Sequence, residues 1–194
     1  MEKRGYRNIA FWVADTYLCD EIFLKDSNYN RDDCLAAFRE LKSVFNKNGW
    51  DCHTQDYYLM CGVVPDVILS FDVINAPLKY VDSLPDAKKP TMYLVLLECE
   101  GIKPANWDKK KHKAFKRVFT WHRPDVDGEK YIELFGWPTD INVQISTKKE
   151  KKLCVMIASN KKNFRKNMLY KDRERVLNWF EKNHPDKFGL CQRI

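Results

Sequence analysis

Glycine is scarce in this chain, with 7 in 194 residues, and no cluster of it forms a loop that could cradle phosphates. No Walker sequence, GxSxG elbow or HExxH pair is present, which excludes P-loop nucleotide hydrolysis and the familiar serine-hydrolase and zinc-protease chemistries. No run approaches the ~20 apolar residues of a membrane span, and the run from Ile9 to Ala14 is cut by Asp15, too short for a signal-peptide core. The seven cysteines are odd in number and include no CxxC. Several sit in apolar runs, which predicts buried, reduced thiols in a cytoplasmic compartment rather than a disulfide framework. His53, His112, His122 and His184 make no helical pair, and Cys52 beside His53 is too little for a zinc site. No repeat or low-complexity segment occurs.

What is present is a folding composition: 44% hydrophobic, 13% aromatic and 31% charged residues, the charges scattered among apolar runs. The net charge of +7 favours anionic partners, and nucleic acid, an anionic membrane surface and a nucleotide sugar all fit it. Lys109, Lys110, Lys111, Lys113, Lys116 and Arg117 form the densest basic stretch. Binding to a phosphate backbone is one reading. A solvated helix face is the preferred one, because Phe115, Phe119 and Trp121 beside it look like core.

Periodicity lays strands and helices in alternation. Asn8 to Val13 reads as a short buried strand. A helix capped by Asn30, with Asp32 and Asp33 at its positive end, carries Cys34, Phe38, Leu41 and Phe45 at helical spacing and stops at Asn48-Gly49. Trp50–Thr54, Val67–Phe71, Met92–Leu97, Val118–Trp121 and Tyr131–Phe135 read as further strands, and Asn106 opens a short basic helix through Ala114. Pro138 to Lys152 is polar and ends in a lysine run, which reads as a connection. Leu153–Ala158 is then a strand and Leu169–Lys182 a helix. The pattern predicts an α/β fold with a largely parallel sheet. Ligands of such sheets bind where strands end at their carboxyl edge.

Two sites stand out on that ground. Arg173 lies four residues from both Leu169 and Leu177, on the stripe they form with Val176 and Phe180, and early in a helix that follows a strand. It either pairs with a structural carboxylate or snorkels to the rim. Alternatively it holds an anion where helix N-termini collect them. Glu98 and Glu100 follow the run ending at Leu97, where a carboxylate can take a proton from a hydroxyl; a solvated strand end is the common alternative.

The segment Leu94-Val95-Leu96-Leu97-Glu98-Cys99-Glu100-Gly101-Ile102-Lys103-Pro104 resembles the acceptor-side Glu segment of the family 10 glycosyltransferases, the α-1,3-fucosyltransferases. Val118-Phe119-Thr120-Trp121 with Arg123 and Asp125 is similar to the next strand and loop of that family. Ile157-Ala158-Ser159-Asn160 with Arg173 resembles the entry to its donor domain. Asn30-Arg31-Asp32-Asp33-Cys34 with Thr54-Gln55-Asp56 is similar to the amino-terminal part of microbial members. The resemblance implies a GT-B architecture: a Rossmann-like acceptor-side domain over residues 1–147 and the start of a second Rossmann-like, donor-binding domain over 148–194, incomplete at Ile194. It implies GDP-fucose as donor, a glycan hydroxyl as acceptor, inversion, and no metal or other cofactor. Carried over, Glu98 is the general base, Arg173 holds the diphosphate, and Ser159 and Asn160 line the loop below the nucleotide. The alternative is a non-catalytic glycan- or partner-binding relative, ranked ahead of a basic nucleic-acid-binding protein, and nucleic acid is then not an expected partner.

Overall fold

The computed structural model describes residues 7–135, 151–158, 162 and 168–192. The chain divides into two compact units, Met1–Asp140 and Ile141–Ile194.

In the first unit, β1 (Arg7–Trp12), β2 (Trp50–Thr54), β3 (Val67–Phe71), β4 (Thr91–Leu96), β5 (Arg117–Thr120) and β6 (Tyr131–Glu133) form one six-stranded sheet. Its order is β2-β1-β3-β4-β5-β6 and every neighbouring pair is parallel. The central strands are apolar on both sides because both faces are covered, as in parallel sheets generally. Ile9, Phe11, Leu69, Phe71 and Val95 belong to one cluster; Ala10, Trp12, Ile68, Leu94, Leu96 and Val118 belong to the other.

Right-handed crossovers decide which helix covers which face. The step from β1 to β2 runs one way along the sheet, and all later steps run the other way. Accordingly α1 (Ala36–Lys47) packs with the first cluster through Phe38, Leu41 and Phe45. By contrast α2 (Gln55–Cys61) and α3 (Asn75–Asp82) supply Tyr58 and Val81 to the second. Past α1 the first face opens into an apolar hollow of about 470 Å³ under Tyr93, Val95, Phe119 and Leu134.

The helix anticipated from Asn30 begins only at Ala36. Asp32 and Asp33 take left-handed backbone angles, φ 54 and 57°, so no helix can run through them. Asn30 does not cap α1: the N-cap is Leu35, without a side-chain capping bond, and Asn30 Oδ1 instead accepts from Leu35 N at 2.9 Å across the preceding turn. The basic helix shrinks to a 3₁₀ turn, Pro104–Trp107, and a single turn α4, Lys109–His112, capped by Asp108.

The second unit is a βαβ motif. Strands β7 (Cys154–Ala158) and β8 (Phe188–Gln192) pair in parallel around α5 (Tyr170–Asn183). Phe180 of α5 stacks on Phe188, ring centroids 4.9 Å apart. No residue of α5 is buried, and Leu169, Val176 and Trp179 are all exposed. Of the apolar stripe expected to face a core, Leu169 and Val176 are thus exposed, while Leu177 and Phe180 are half-buried.

Among the described residues no helix is long and apolar enough to cross a membrane. All seven cysteines are free, but only Cys52 is buried. Cys19, Cys34, Cys61 and Cys191 are exposed, which corrects the reading of them as buried thiols.

Candidate functional site

The order of the sheet reverses between β1 and β3, and the crevice at such a reversal lies outside the carboxyl ends of the strands. Gln55 closes the end of β1: its side chain accepts from Val13 N at 3.0 Å and donates to Val13 O at 2.9 Å. The next two strand ends, those of β3 and β4, are joined by Asp72.

Asp72 follows β3 directly, buried, with φ 52°. Its N–H donates to Val95 O at 3.0 Å, and its carboxylate turns back to accept from Leu97 N and Glu98 N, each at 2.9 Å. Two backbone donors that leave the ladder as β4 ends are thus satisfied by one buried anion. Asn106 Nδ2 donates to both Asp72 O, at 2.9 Å, and Asp72 Oδ1, at 3.2 Å. Lys103 Nζ reaches the Asp72 carbonyl at 3.3 Å.

Asn106 is itself held from below. Its carbonyl accepts from Nε2 of the fully buried His112 at 2.7 Å, while Nδ1 of that ring lies 3.0 Å from the Tyr131 hydroxyl. Burial pushes the His112 pKa down, against the opposing pull of the Asn106 carbonyl, so the ring is held neutral. A neutral ring donates at one nitrogen and accepts at the other, which suits this pair. Tyr131, His112, Asn106 and Asp72 form a continuous chain of contacts that ends on the backbone of Glu98.

The Glu98 side chain is exposed, as is that of Glu100. Two indoles flank the turn: Trp107 Nε1 donates to Glu98 O at 3.0 Å and Trp121 Nε1 to Leu97 O at 3.2 Å. Their rings meet edge to face, 5.7 Å apart at 67°, with His122 at 5.6 Å from Trp107. Trp121 is 44% exposed, so it is a rim residue and not the core residue its strand pattern suggested. Asp125 bonds Lys109, and His122 Nδ1 lies 3.2 Å from it. Burial works against the charge of Asp125, but Lys109 and His122 outweigh it and hold the carboxyl below its usual range. Arg123 pairs with Glu133 at 2.7 Å.

A second polar cluster lies at the end of β2. Asp20 accepts from Thr54 N at 2.8 Å and Lys42 Nζ at 2.8 Å, and His53 Nδ1 lies 2.7 Å away. Burial opposes its charge; Lys42, the Thr54 N–H and His53 prevail and lower its pKa. With its oxygens so occupied, Asp20 clasps the β1–α1 loop to the sheet and has little capacity left for a ligand.

The basic stretch is partly spent on structure. Lys109 engages Asp125 and Lys111 Nζ bonds Asn75 Oδ1 at 2.8 Å, whereas Lys110, Lys113, Lys116 and Arg117 are exposed. Ser159 and Asn160 lie outside the described residues. Arg173 belongs to the second unit as the fourth residue of α5, half-buried, with its guanidinium 4.8 Å from the Tyr170 ring centroid. It has further interaction and is not a bare charge on an apolar stripe. Among the described residues no group of three or more metal-ligating side chains assembles.

Sequence reasoning placed Glu98 at the end of the β4 run, where it lies, and missed the contacts that fix its backbone. Asp72 carried the same signal, an acid directly after a buried strand run. The two tryptophans carried none, because their role depends on carbonyls 9 and 24 residues away. The chain matches no family model, no curated protein and no solved structure.

Proposed function

We propose that the chain works as an inverting sugar-nucleotide-dependent glycosyltransferase of the GT-B, α-1,3-fucosyltransferase type, its first unit on the acceptor side and its second on the donor side. The observation that carries this reading is Glu98. An exposed carboxylate stands at the carboxyl edge of a parallel sheet, and its backbone is fixed by the buried Asp72 through Leu97 N and Glu98 N. A general base needs that combination, since the proton it takes must lie within hydrogen-bond reach in a defined pose.

In this reading the Glu98 carboxylate removes the proton of an acceptor hydroxyl as that oxygen attacks the anomeric carbon of GDP-fucose from the face opposite the leaving group. The new glycosidic bond forms, the bond to the β-phosphate breaks, and GDP departs with the electron pair. The centre passes through an oxocarbenium-like state. Arg173 is the residue that offsets the charge developing on the diphosphate, as fixed cations do in transition-state stabilisation, and Ser159 and Asn160 are assigned to the nucleotide by the resemblance alone. Proton, nucleophile and leaving group are accounted for without a metal.

GDP release from GDP-fucose in the presence of a glycan acceptor, with mass-spectrometric detection of the fucosylated product, tests the assignment. Transfer that needs Glu98 supports it. Failure of GDP-fucose to bind at all would remove it.

A further inference from the structure

We propose that Trp107 and Trp121 form a carbohydrate-stacking shelf beside Glu98, which takes a β-linked hexopyranose by the face of its ring that carries only C–H groups. As the acceptor subsite of a transferase the shelf rests on the reading above; as a sugar-binding surface it stands on its own geometry.

Both indole N–H groups are already committed, to the carbonyls of Leu97 and Glu98. What the rings still offer is apolar surface, and Trp121 offers it to solvent with 44% of its area exposed. The two bonds lock each ring against the end of β4, and the edge-to-face contact at 5.7 Å locks each against the other. A platform fixed in this way loses little freedom when a ligand arrives. His122 meets both rings, at 5.6 Å and 6.0 Å, and brings to the rim the Asp125 carboxylate it contacts and the Lys109 paired with that carboxylate, groups a polyol needs. Glu98, whose carbonyl holds Trp107, is the exposed residue of the same turn. An apolar surface with a few convergent polar groups is how small-ligand sites are built.

The same details choose among ligands. Rings crossed at 67° leave no parallel slot for a flat nucleobase to enter. The exposed Glu98 disfavours a phosphate at this edge. A purely apolar side chain would leave the polar rim unused. A neutral ring with hydroxyls at its edge and C–H groups on a face uses both. A β-linked residue leaves through an equatorial bond, so the rest of the glycan continues in the plane of the ring whichever face lies on Trp121, whereas an axial link clears the shelf on only one of the two faces.

Saturation-transfer NMR on the full chain with lactose, cellobiose and N,N′-diacetylchitobiose, each at about 10 mM to reach weak affinities, tests the shelf. At least one sugar is expected to bind, with saturation concentrated on the C–H protons of one ring face. Trp121→Ala should weaken that binding about tenfold, near the upper end for a single aromatic contact. Trp121→Phe, the safer fold, should weaken it about threefold by removing part of the surface. Trp179→Ala, an exposed tryptophan of the second unit, should leave it unchanged. No saturation for any of the three sugars overturns the proposal. Unchanged binding in both Trp121 variants, or displacement of the sugar by GDP, also overturns it. Sugar binding without fucosyl transfer keeps the shelf and removes the transferase; transfer indifferent to Trp121 does the reverse.

Discussion

Replacing Asp72 separates the chain of contacts behind Glu98 from ordinary strand packing. The carboxylate accepts from Leu97 N, Glu98 N and Asn106 Nδ2. Asp72→Asn keeps the shape, one acceptor oxygen and a residue that tolerates the left-handed angle of 52°. It turns one oxygen into a donor that faces an N–H, so one charge-assisted bond is lost, about 1.5–3 kcal/mol. Asp72→Ala strands two strand-end N–H groups. At about 1–3 kcal/mol for each orphan, and with water able to reach the exposed Glu98 side, the loss should be about 3 kcal/mol or more. Alanine also suffers at a positive φ, so Asp72→Gly serves as the control, relieving the backbone without restoring the carboxylate. Urea melting followed by near-ultraviolet circular dichroism, which reports Trp107 and Trp121 beside the turn, measures the series. Alanine and glycine variants within about 0.5 kcal/mol of wild type, the range of uninvolved surface substitutions, would refute the argument that this carboxylate organises the edge.

Other consequences follow from the same contacts. The neutral native state of His112 means that the unfolded chain gains a proton that the folded chain refuses as pH falls below about 6.5. Stability should drop through that range, and the drop should be smaller in His112→Gln; equal pH dependence in both proteins would contradict a neutral His112. Asp20, whose folded pKa is lowered, contributes stability that is present above the ordinary aspartate range and is lost as pH falls through the folded value. Lys42→Met should therefore cost about 1 kcal/mol at neutral pH, a partly exposed pair, and less once pH falls below the ordinary aspartate range far enough to protonate Asp20; an identical cost at both would be wrong for an ion pair. Burial pushes the Cys52 thiol up to about 12. In the folded protein Cys19, Cys34, Cys61 and Cys191 should react with a disulfide reagent while Cys52 reacts only on unfolding, and fast labelling of Cys52 on peptide mapping would show that the core of β2 is open.

The strands were the most legible part, because a two-sided parallel sheet writes itself as unbroken apolar runs. Val67–Phe71 is delimited by sequence and structure alike, and β4 is displaced by one residue from the run that announces it. The start of α1 was not legible. Apolar spacing extended back to Cys34, yet left-handed Asp32 and Asp33 lie in the way, and their angles come from contacts that no periodicity encodes. Glu98 could be found because a strand end is a local feature. Its support could not, since Asp72 is 26 residues away and His112 acts through Asn106. The stripe argument for Arg173 assumed that apolar residues at helical spacing face a core. Leu169 and Val176 are exposed, so the stripe gives no reason for Arg173 to be strained.

The central claim is that Glu98 acts as a base on an acceptor hydroxyl, and the direct measurement compares wild type with Glu98→Gln in GDP-fucose-dependent transfer to a glycan. The amide keeps the size and the backbone contacts with Asp72 but cannot take the proton. The account predicts a fall in turnover of ~100-fold or more, the lower end for a general base, with donor affinity and urea stability unchanged. Turnover equal to wild type in a variant that binds GDP-fucose normally would contradict it.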